Sequence, residues 1–368
     1  MNHPQLTVRG VRARTVRVPM RRPLGTSATL MTGAPFLLVD LYTEEGITGR
    51  AHAFCYLELA APMMRRALEA AGALIAGAPL QPERIAKTCR DHFALLGVQG
   101  VVAQALSALD VACWDALSRA AELPLGRYLG GMAETIPAYN SNGLGVSSAD
   151  VDPGGIAEEA NALLAGGFNA LKIRLGREDS DEDLSAVRAV RSAIPSESLL
   201  MSDYNQALSL VEALERGRAL EEEGLYWIEE PVVHDDFEGS SVLAEALRTP
   251  IQAGENFSGP DVLATAIAMK AMDYVMVDLM RIGGVSGWLR AAALAETAHM
   301  PMSSHLYPEV SVHLLAATPT AHWLEYVDWA EAFIAAPISI AEGAAGVPGT
   351  PGTGVVWDEG AVTRYAVD

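Results

Sequence analysis

Asp203, Glu229 and Glu255 stand 26 residues apart, and each closes or directly follows a short apolar run. About 26 residues is the length of one strand, one helix and the loops between them. In a parallel barrel, equivalent ends of successive strands lie side by side on one rim. The interval therefore predicts three carboxylates gathered at one place. Such acids repel one another unless a cation sits among them, and a hard divalent metal with oxygen ligands suits them best. Other apolar runs end in chemistry too. Lys172 and Arg174 fall two apart and so share one face of a strand, Asn205 follows Asp203 by two, and later runs end in Asp278, His305 and Glu325. Asp278 is placed to accept the ring N–H of His305, which fixes the tautomer and raises the basicity of the imidazole. A lone lysine or histidine at a strand end is ordinarily just a solvated or hydrogen-bonded polar residue. Seven consecutive strand ends with ionisable groups, where packing alone calls for Val, Ile and Leu, mark a chemical site.

Three segments must position these groups. Residues 1–128 read as an α+β capping domain, with strands at 8–18, 36–43 and 49–54 followed by helices. The clearest helix is 101–121, where Ala105, Leu109, Ala112 and Ala116 recur at helical spacing. Residues 129–340 alternate strand and helix, with strands expected at 136–140, 170–174, 199–203, 226–229, 251–255, 274–278, 302–305 and 323–326. Eight such strands close an α/β fold of the (β/α)8, or TIM-barrel, type. Residues 341–368 open with the Gly- and Pro-dense stretch 343–354, read as irregular chain packing back on the capping domain. Loops between Met20 and Met31 and near Phe54 are expected to set substrate specificity.

Composition narrows the function classes. The chain has 368 residues, is half apolar and carries a net charge of -20, which argues against nucleic acid, whose phosphates need a basic face. No run of about 18 apolar residues is evident, so no membrane span is expected. Cys55, Cys89 and Cys113 are odd in number and lack metal-ligand spacing. They read as reduced core thiols in a reducing compartment, and the expected location is cytoplasmic. The Arg-rich start alternates Arg12, Arg14, Val16 and Val18 at period two, which suits a strand better than a cleaved targeting segment. His3, His52, His92, His234, His299, His313 and His322 read as surface or packing residues, with His52 the exception for its place near a loop over the barrel mouth.

Several segments together resemble the enolase superfamily and, within it, the mandelate racemase subgroup, over nearly the whole chain. They are Met201-Ser202-Asp203-Tyr204-Asn205-Gln206, Trp227-Ile228-Glu229-Glu230-Pro231, Gly254-Glu255-Asn256, Arg281-Ile282-Gly283-Gly284-Val285 and Pro301-Met302-Ser303-Ser304-His305-Leu306. The run from His313 through Thr320 to Trp323-Leu324-Glu325 continues the likeness. The resemblance implies an enolase-type modified barrel and a Mg²⁺ held by Asp203, Glu229 and Glu255, with a small carboxylate substrate on it. It further implies that Lys172 neutralises that carboxylate and that Glu325, kept protonated, donates a hydrogen bond to it. His305, oriented by Asp278, becomes the acid or base of one face, and Ser141 and Asn205 become substrate contacts. Subgroup relatives commonly form symmetric assemblies, so a homo-oligomer is expected.

One position departs from the pattern. Where the racemase-like sequence has a second lysine as the base of the opposite face, this chain has Arg174, whose guanidinium stays protonated and makes a poor base. Racemisation needs two competent faces, whereas dehydration of an acid sugar runs on one base, so the expected reaction is α-proton abstraction followed by loss of a β-hydroxyl. Arg21, Arg22, Asn140 and Asn142 fit that reading as binders of hydroxyls or a second carboxylate. Leu24, Met31, Phe54 and Tyr56 pull the other way, toward the aromatic ring of a mandelate-type 2-hydroxy acid and hence a racemase or epimerase, or toward plain domain packing. A binding protein that has lost catalysis would lack one of Lys172, His305 or the three acids, and all are present. Amide hydrolysis on a barrel metal would want His-x-His on the first strand, and residues 139–143 hold no histidine.

Overall fold

The computed structural model describes residues 5–146 and 153–367. The chain opens with an antiparallel sheet of β1 (Val8–Gly25), β2 (Leu30–Thr43) and β3 (Thr48–Phe54), in that order. On β1, Val16 and Val18 turn inward while Arg17 points out, the period-two pattern of a half-covered strand. The central strand β2 is buried on both faces from Ala34 to Leu41. One face of the sheet packs on the helix Gly100–Ala120, and Phe36 meets Phe333 of the C-terminal segment at a ring distance of 5.1 Å. The region expected as a loop from Met20 to Met31 is mostly hairpin: Leu24 pairs with Met31 and Gly25 with Leu30, leaving only Thr26–Thr29 as its tip.

The helix Gly100–Ala120 is long and apolar enough to cross a bilayer by composition. Its apolar residues, among them Ala105, Leu109, Ala112 and Ala116, are instead buried in the protein core. Small side chains let sheet and helix approach closely. A Cβ added at Gly49 on β3 would lie 2.0 Å from the Ala112 carbonyl oxygen.

Eight parallel strands follow: β4 (Thr135–Asn140), β5 (Ala170–Arg174), β6 (Leu199–Asp203), β7 (Leu225–Glu229), β8 (Ile251–Ala253), β9 (Tyr274–Asp278), β10 (Met302–His305) and β11 (Leu324–Tyr326). Each pairs with the next from β4 to β10, and β11 pairs with β4. The ring closes where Ser304 N–H donates to Trp323 O at 3.0 Å and His322 N–H to Met302 O at 2.9 Å. Register brings the strand ends level: Arg174 lies beside Asp203, Asp203 beside Glu229, and Asp278 beside His305. Tyr139, Met201 and Trp227 fill the barrel interior beneath that rim. His322 packs among Tyr226, Trp227, Tyr274 and Trp323, where burial lowers its pKa to about 4.

The stretch after Glu342 is more regular than its glycines and prolines suggest. Ala344–Gly346 forms β13, which pairs with β12 (Ile340–Ala341) and adds antiparallel to the start of β4. Beyond it the chain crosses the first sheet: Trp357 Nε1 donates to Asp40 at 2.8 Å, Val367 N–H donates to Thr15 O at 3.0 Å, and Glu359 pairs with Arg14.

Gly49→Ala forces sheet and helix apart, and overpacking of this kind costs roughly 1–3 kcal/mol. A lowered thermal melting midpoint, with metal affinity unchanged, is the expected result.

Candidate active site

Asp203 and Glu229 are the last residues of β6 and β7. β8 ends at Ala253, two residues before Glu255. Gly254, between them, has a φ of +131°, and a Cβ there would sit 2.5 Å from the Met276 carbonyl oxygen. Only glycine makes that turn, and it carries Glu255 to the other two acids. One oxygen of each carboxylate lies within 4.8 Å of the others, and all three residues are buried.

Donors aim each acid. Glu229 Oε1 meets Lys172 Nζ at 2.6 Å, and its Oε2 accepts from Trp227 Nε1 at 3.1 Å and Gln252 Nε2 at 3.5 Å. Asp203 accepts from the backbone N–H and Nδ2 of Asn205, at 2.7 and 3.0 Å. Glu255 accepts from Asn256 Nδ2 at 3.2 Å and faces His305 Nε2 at the same distance. Lys172 reaches Glu325 at 2.8 Å and Asp203 at 3.4 Å as well. Burial opposes the charge of Lys172, but Glu229 and Glu325 outweigh it and hold its pKa well above the ordinary value. One ammonium does not balance the acids: burial raises the pKa of Glu229 despite Lys172, and repulsion from Asp203, Glu325 and Glu255 adds to the rise. An all-oxygen donor set with surplus negative charge fits a hard divalent cation. So do two buried acceptors beside it without partners, Asn205 Oδ1 and Glu230 Oε1.

His305 closes β10, and its Nδ1 lies 2.8 Å from Asp278 Oδ2. Asp278 is held in turn as the cap of a helical turn, its Oδ1 accepting from the N–H groups of Met280 and Arg281 at 2.7 and 3.0 Å. The imidazole therefore presents Nε2 to the metal cluster. Burial disfavours its charged form, but Glu255, Glu325 and Asp278 together push its pKa up to about 9. Glu325 differs from expectation. Ser141 Oγ at 2.7 Å, Lys172 Nζ at 2.8 Å and the Leu306 N–H at 2.9 Å all donate to it. Burial raises its pKa, but Lys172 and His305 more than reverse that and hold it below the usual carboxylate range. In this arrangement both Glu325 oxygens accept hydrogen bonds.

Arg174 lies across the mouth from the dyad and is tied into loop backbone. Its Nη1 donates to the carbonyls of Ser141 and Gly143 at 3.0 and 3.2 Å, and its Nη2 to Ser141 Oγ at 3.0 Å. Asn140 and Asn142 also build this loop: Asn140 Oδ1 accepts from Asn142, and Asn142 Oδ1 accepts from the Asp328 N–H. Neither has the free polar reach expected of it. Arg21 is likewise engaged, with Asp328 and Glu331 at 3.2 and 3.1 Å. Arg22 packs beside Gly143 at the mouth, with Glu159 4.0 Å away. Leu24 is buried opposite Met31, and Phe54 lies between Tyr56 and Trp329 in tilted contacts at ring distances of 4.6 and 5.0 Å. Tyr56 has a left-handed φ of +58°, and its hydroxyl is buried without a partner. Burial raises the pKa of that phenol, which also feels Arg281, Asp278 and Glu255 and so faces the dyad. Arg281 lies over the Tyr56 ring at 4.8 Å. His52 packs on Phe36, Phe333 and Tyr307 and lies 3.5 Å from Glu309.

Sequence reasoning assigned no role to Trp227, Gln252, Glu230, Asn256 or Arg281. Gln252 did carry a signal, a lone amide inside the apolar strand Ile251-Gln252-Ala253.

Comparison with known proteins agrees with this geometry. Residues 8–130 match the mandelate racemase / muconate lactonizing enzyme N-terminal domain, and residues 155–361 match the enolase C-terminal domain-like family. An enolase from an alpha proteobacterium, bal199, solved with bound magnesium, superposes with a TM-score of 0.95 at 42% identity over 98% of this chain and 100% of that one. A Bradyrhizobium enolase complexed with magnesium and mandelic acid gives 0.93 at 39% identity, over 99% of each chain. The L-talarate/galactarate dehydratase of Salmonella typhimurium is 30% identical over 85% of this chain and 79% of its own length. The chain is an enzyme of the enolase superfamily, in its mandelate racemase / muconate lactonizing enzyme group.

A cation that binds the folded triad and not the unfolded chain stabilises the fold by about 2.7 kcal/mol at a hundred times its Kd. Mg²⁺ titrated against thermal melting should raise the midpoint of the wild type. The rise should vanish in Asp203→Asn.

Proposed function

We propose that this enzyme is a Mg²⁺-dependent dehydratase of a polyhydroxy acid. The observation that carries the reading is the asymmetry of the mouth. One side presents His305 backed by Asp278, and the other presents Arg174 with its N–H groups committed to Ser141 and Gly143. When bound by Asp203, Glu229 and Glu255, Mg²⁺ supplies charge that stabilises the substrate carboxylate as the α-proton leaves, a general feature of enolase-superfamily sites.

The protein's own groups divide the remaining work. Lys172 neutralises the substrate carboxylate from within the acid cluster, and Ser141 and Asn205 contact it from the ends of their strands. His305 takes the α-proton on Nε2, the nitrogen that Asp278 leaves free, as neutral imidazole once a cation held by Glu255 offsets one of the charges that raise its pKa. It then returns that proton to the departing β-hydroxyl, so that the β C–O bond breaks and water leaves. The resulting enol tautomerises to a 2-keto-3-deoxy acid. Arg174 sets the position of Ser141, and Arg22 and the Tyr56 hydroxyl are the polar groups we assign to the distal substrate. The dehydratase named among the relatives supports this reading. We place the enzyme in the cytoplasm as a homo-oligomer, in keeping with its three buried free thiols and the exposed Leu30, Leu57 and Leu59 on the capping domain.

A second reading, racemisation of an aromatic 2-hydroxy acid, draws on the apolar wall of Leu24, Phe54 and Tyr56 and on the Bradyrhizobium structure with mandelic acid. It requires a proton carrier opposite His305, and Arg174 is not one.

Proton NMR of the Mg²⁺ enzyme in D₂O with pooled acid sugars and 2-hydroxy acids separates the two. A 2-keto-3-deoxy product that disappears in His305→Asn is expected, and α-deuteration with loss of configuration and no keto product would sink the dehydratase reading. Arg174→Lys should release the Ser141 loop, raise KM and introduce an amine. Slow α-proton exchange on the face opposite His305, absent from the wild type, is the expected gain.

A further inference from the structure

Glu230 follows the metal-cluster residue Glu229 and has no part in the chemistry above. In an extended chain, successive side chains point to opposite sides, so a residue after Glu229 should leave the cluster. Here the backbone breaks that rule: Glu230 has a φ of +35°, a conformation that non-glycine residues rarely adopt. Two backbone bonds pin it there, its N–H donating to Gln252 O at 3.1 Å and its carbonyl accepting from the Gln206 N–H at 2.8 Å. Strained positions of this kind collect at functional sites.

The strained turn keeps a second carboxylate beside the first set. Asn256 Nδ2 bridges the two, donating to Glu230 Oε2 at 2.6 Å and to Glu255 Oε1 at 3.2 Å. The other oxygen, Oε1, is buried and has no hydrogen-bond partner. The site's two proton-bearing groups lie elsewhere: Lys172 reaches Glu229, Asp203 and Glu325, and His305 reaches Glu255, Asp278 and Glu325. Among the described residues, no ion pair touches Glu230. A buried carboxylate oxygen in this position wants a donor, and three protein ligands leave a small hard cation with coordination positions filled by water.

We propose that Glu230 is a positioning residue for the metal: its free oxygen accepts a hydrogen bond from a water on the cation, and its bonded oxygen fixes Glu255 through Asn256. This rests on Asp203, Glu229 and Glu255 being the metal ligands. It makes Glu230 a selectivity device, because Mg²⁺ dehydrates reluctantly and keeps its waters while Ca²⁺ takes more direct oxygens.

Glu230→Gln tests it cleanly. The side-chain amide can still accept from Asn256 with its one oxygen, but it puts an NH₂ donor where the free oxygen was. Calorimetric titration of the metal-free protein should give a Mg²⁺ affinity lower by about 10–100-fold, the range for lost outer-sphere partners, with a smaller loss for Ca²⁺. With Mn²⁺ as probe, water-proton relaxation should report faster exchange of the bound water in the variant. Asn256→Ala should reproduce the selective loss, and carries the test if Glu230→Gln does not fold. An unchanged Mg²⁺ affinity, or equal losses for Mg²⁺ and Ca²⁺ with unaltered water exchange, overturns the proposal. A wild-type protein that binds neither ion overturns the ligand assignment itself.

Discussion

The structure turns on the repulsion among buried carboxylates at the barrel rim. Asp203, Glu229, Glu255 and Glu325 converge on a space shared by Lys172 and His305, so the acids outnumber the proton-bearing groups between them. Isolated buried charge is costly, and the cost is contained by hydrogen bonds that are themselves fixed in rigid elements. Trp227 and Gln252 hold Glu229 from below, Asn205 holds Asp203, and Ser141 with the Leu306 N–H holds Glu325. A site so over-determined keeps its shape, and its residual negative charge favours a divalent cation over a monovalent one.

The capping domain brings Tyr56 to the barrel mouth, and buried hydrogen bonds cross the seam between the two. Asp110 accepts from both the N–H and the hydroxyl of Ser286, at 2.9 and 2.6 Å. Asp115 accepts from Arg119 and the Arg50 N–H within the capping domain and from Thr353, which ties the C-terminal segment to it. Phe54 N–H donates to the Tyr307 hydroxyl two residues beyond His305. Buried hydrogen bonds of this kind are directional, so they fix how one unit sits on the other where apolar contact alone would allow sliding. Tyr56 reaches the dyad on account of that registration.

Much of this was legible in the sequence, for a geometric reason. A barrel converts a one-dimensional interval into adjacency, so Asp203, Glu229, Glu255, Asp278 and His305 could be placed on one rim from spacing alone. Properties set by side-chain direction could not. Whether Arg174 faces the substrate or the carbonyls of Ser141 and Gly143 depends on rotamer choice. Whether Glu325 keeps a proton depends on Lys172 lying 2.8 Å away. Asn140 and Asn142 looked like free polar groups because composition does not record that they bond to each other, to Leu163 O and to the Asp328 N–H. The Met20–Met31 hairpin depends on a register shift that lets Leu24 pair with Met31, which the residue pattern does not record.

The commitment of Arg174 to loop carbonyls has a stereochemical consequence. With a proton carrier on a single side of the bound acid, the site need not recognise configuration at the α-carbon in order to select for it. Under the proposed chemistry either α-epimer can occupy the metal and Lys172 through its carboxylate, but only the one whose α-hydrogen points at His305 proceeds. The other is held without reacting and competes for the site, so that the unreactive α-epimer inhibits turnover of the reactive one. Selectivity at the α-carbon is then a property of the reaction step, independent of the pocket walls, and those walls are free to diverge without loss of handedness.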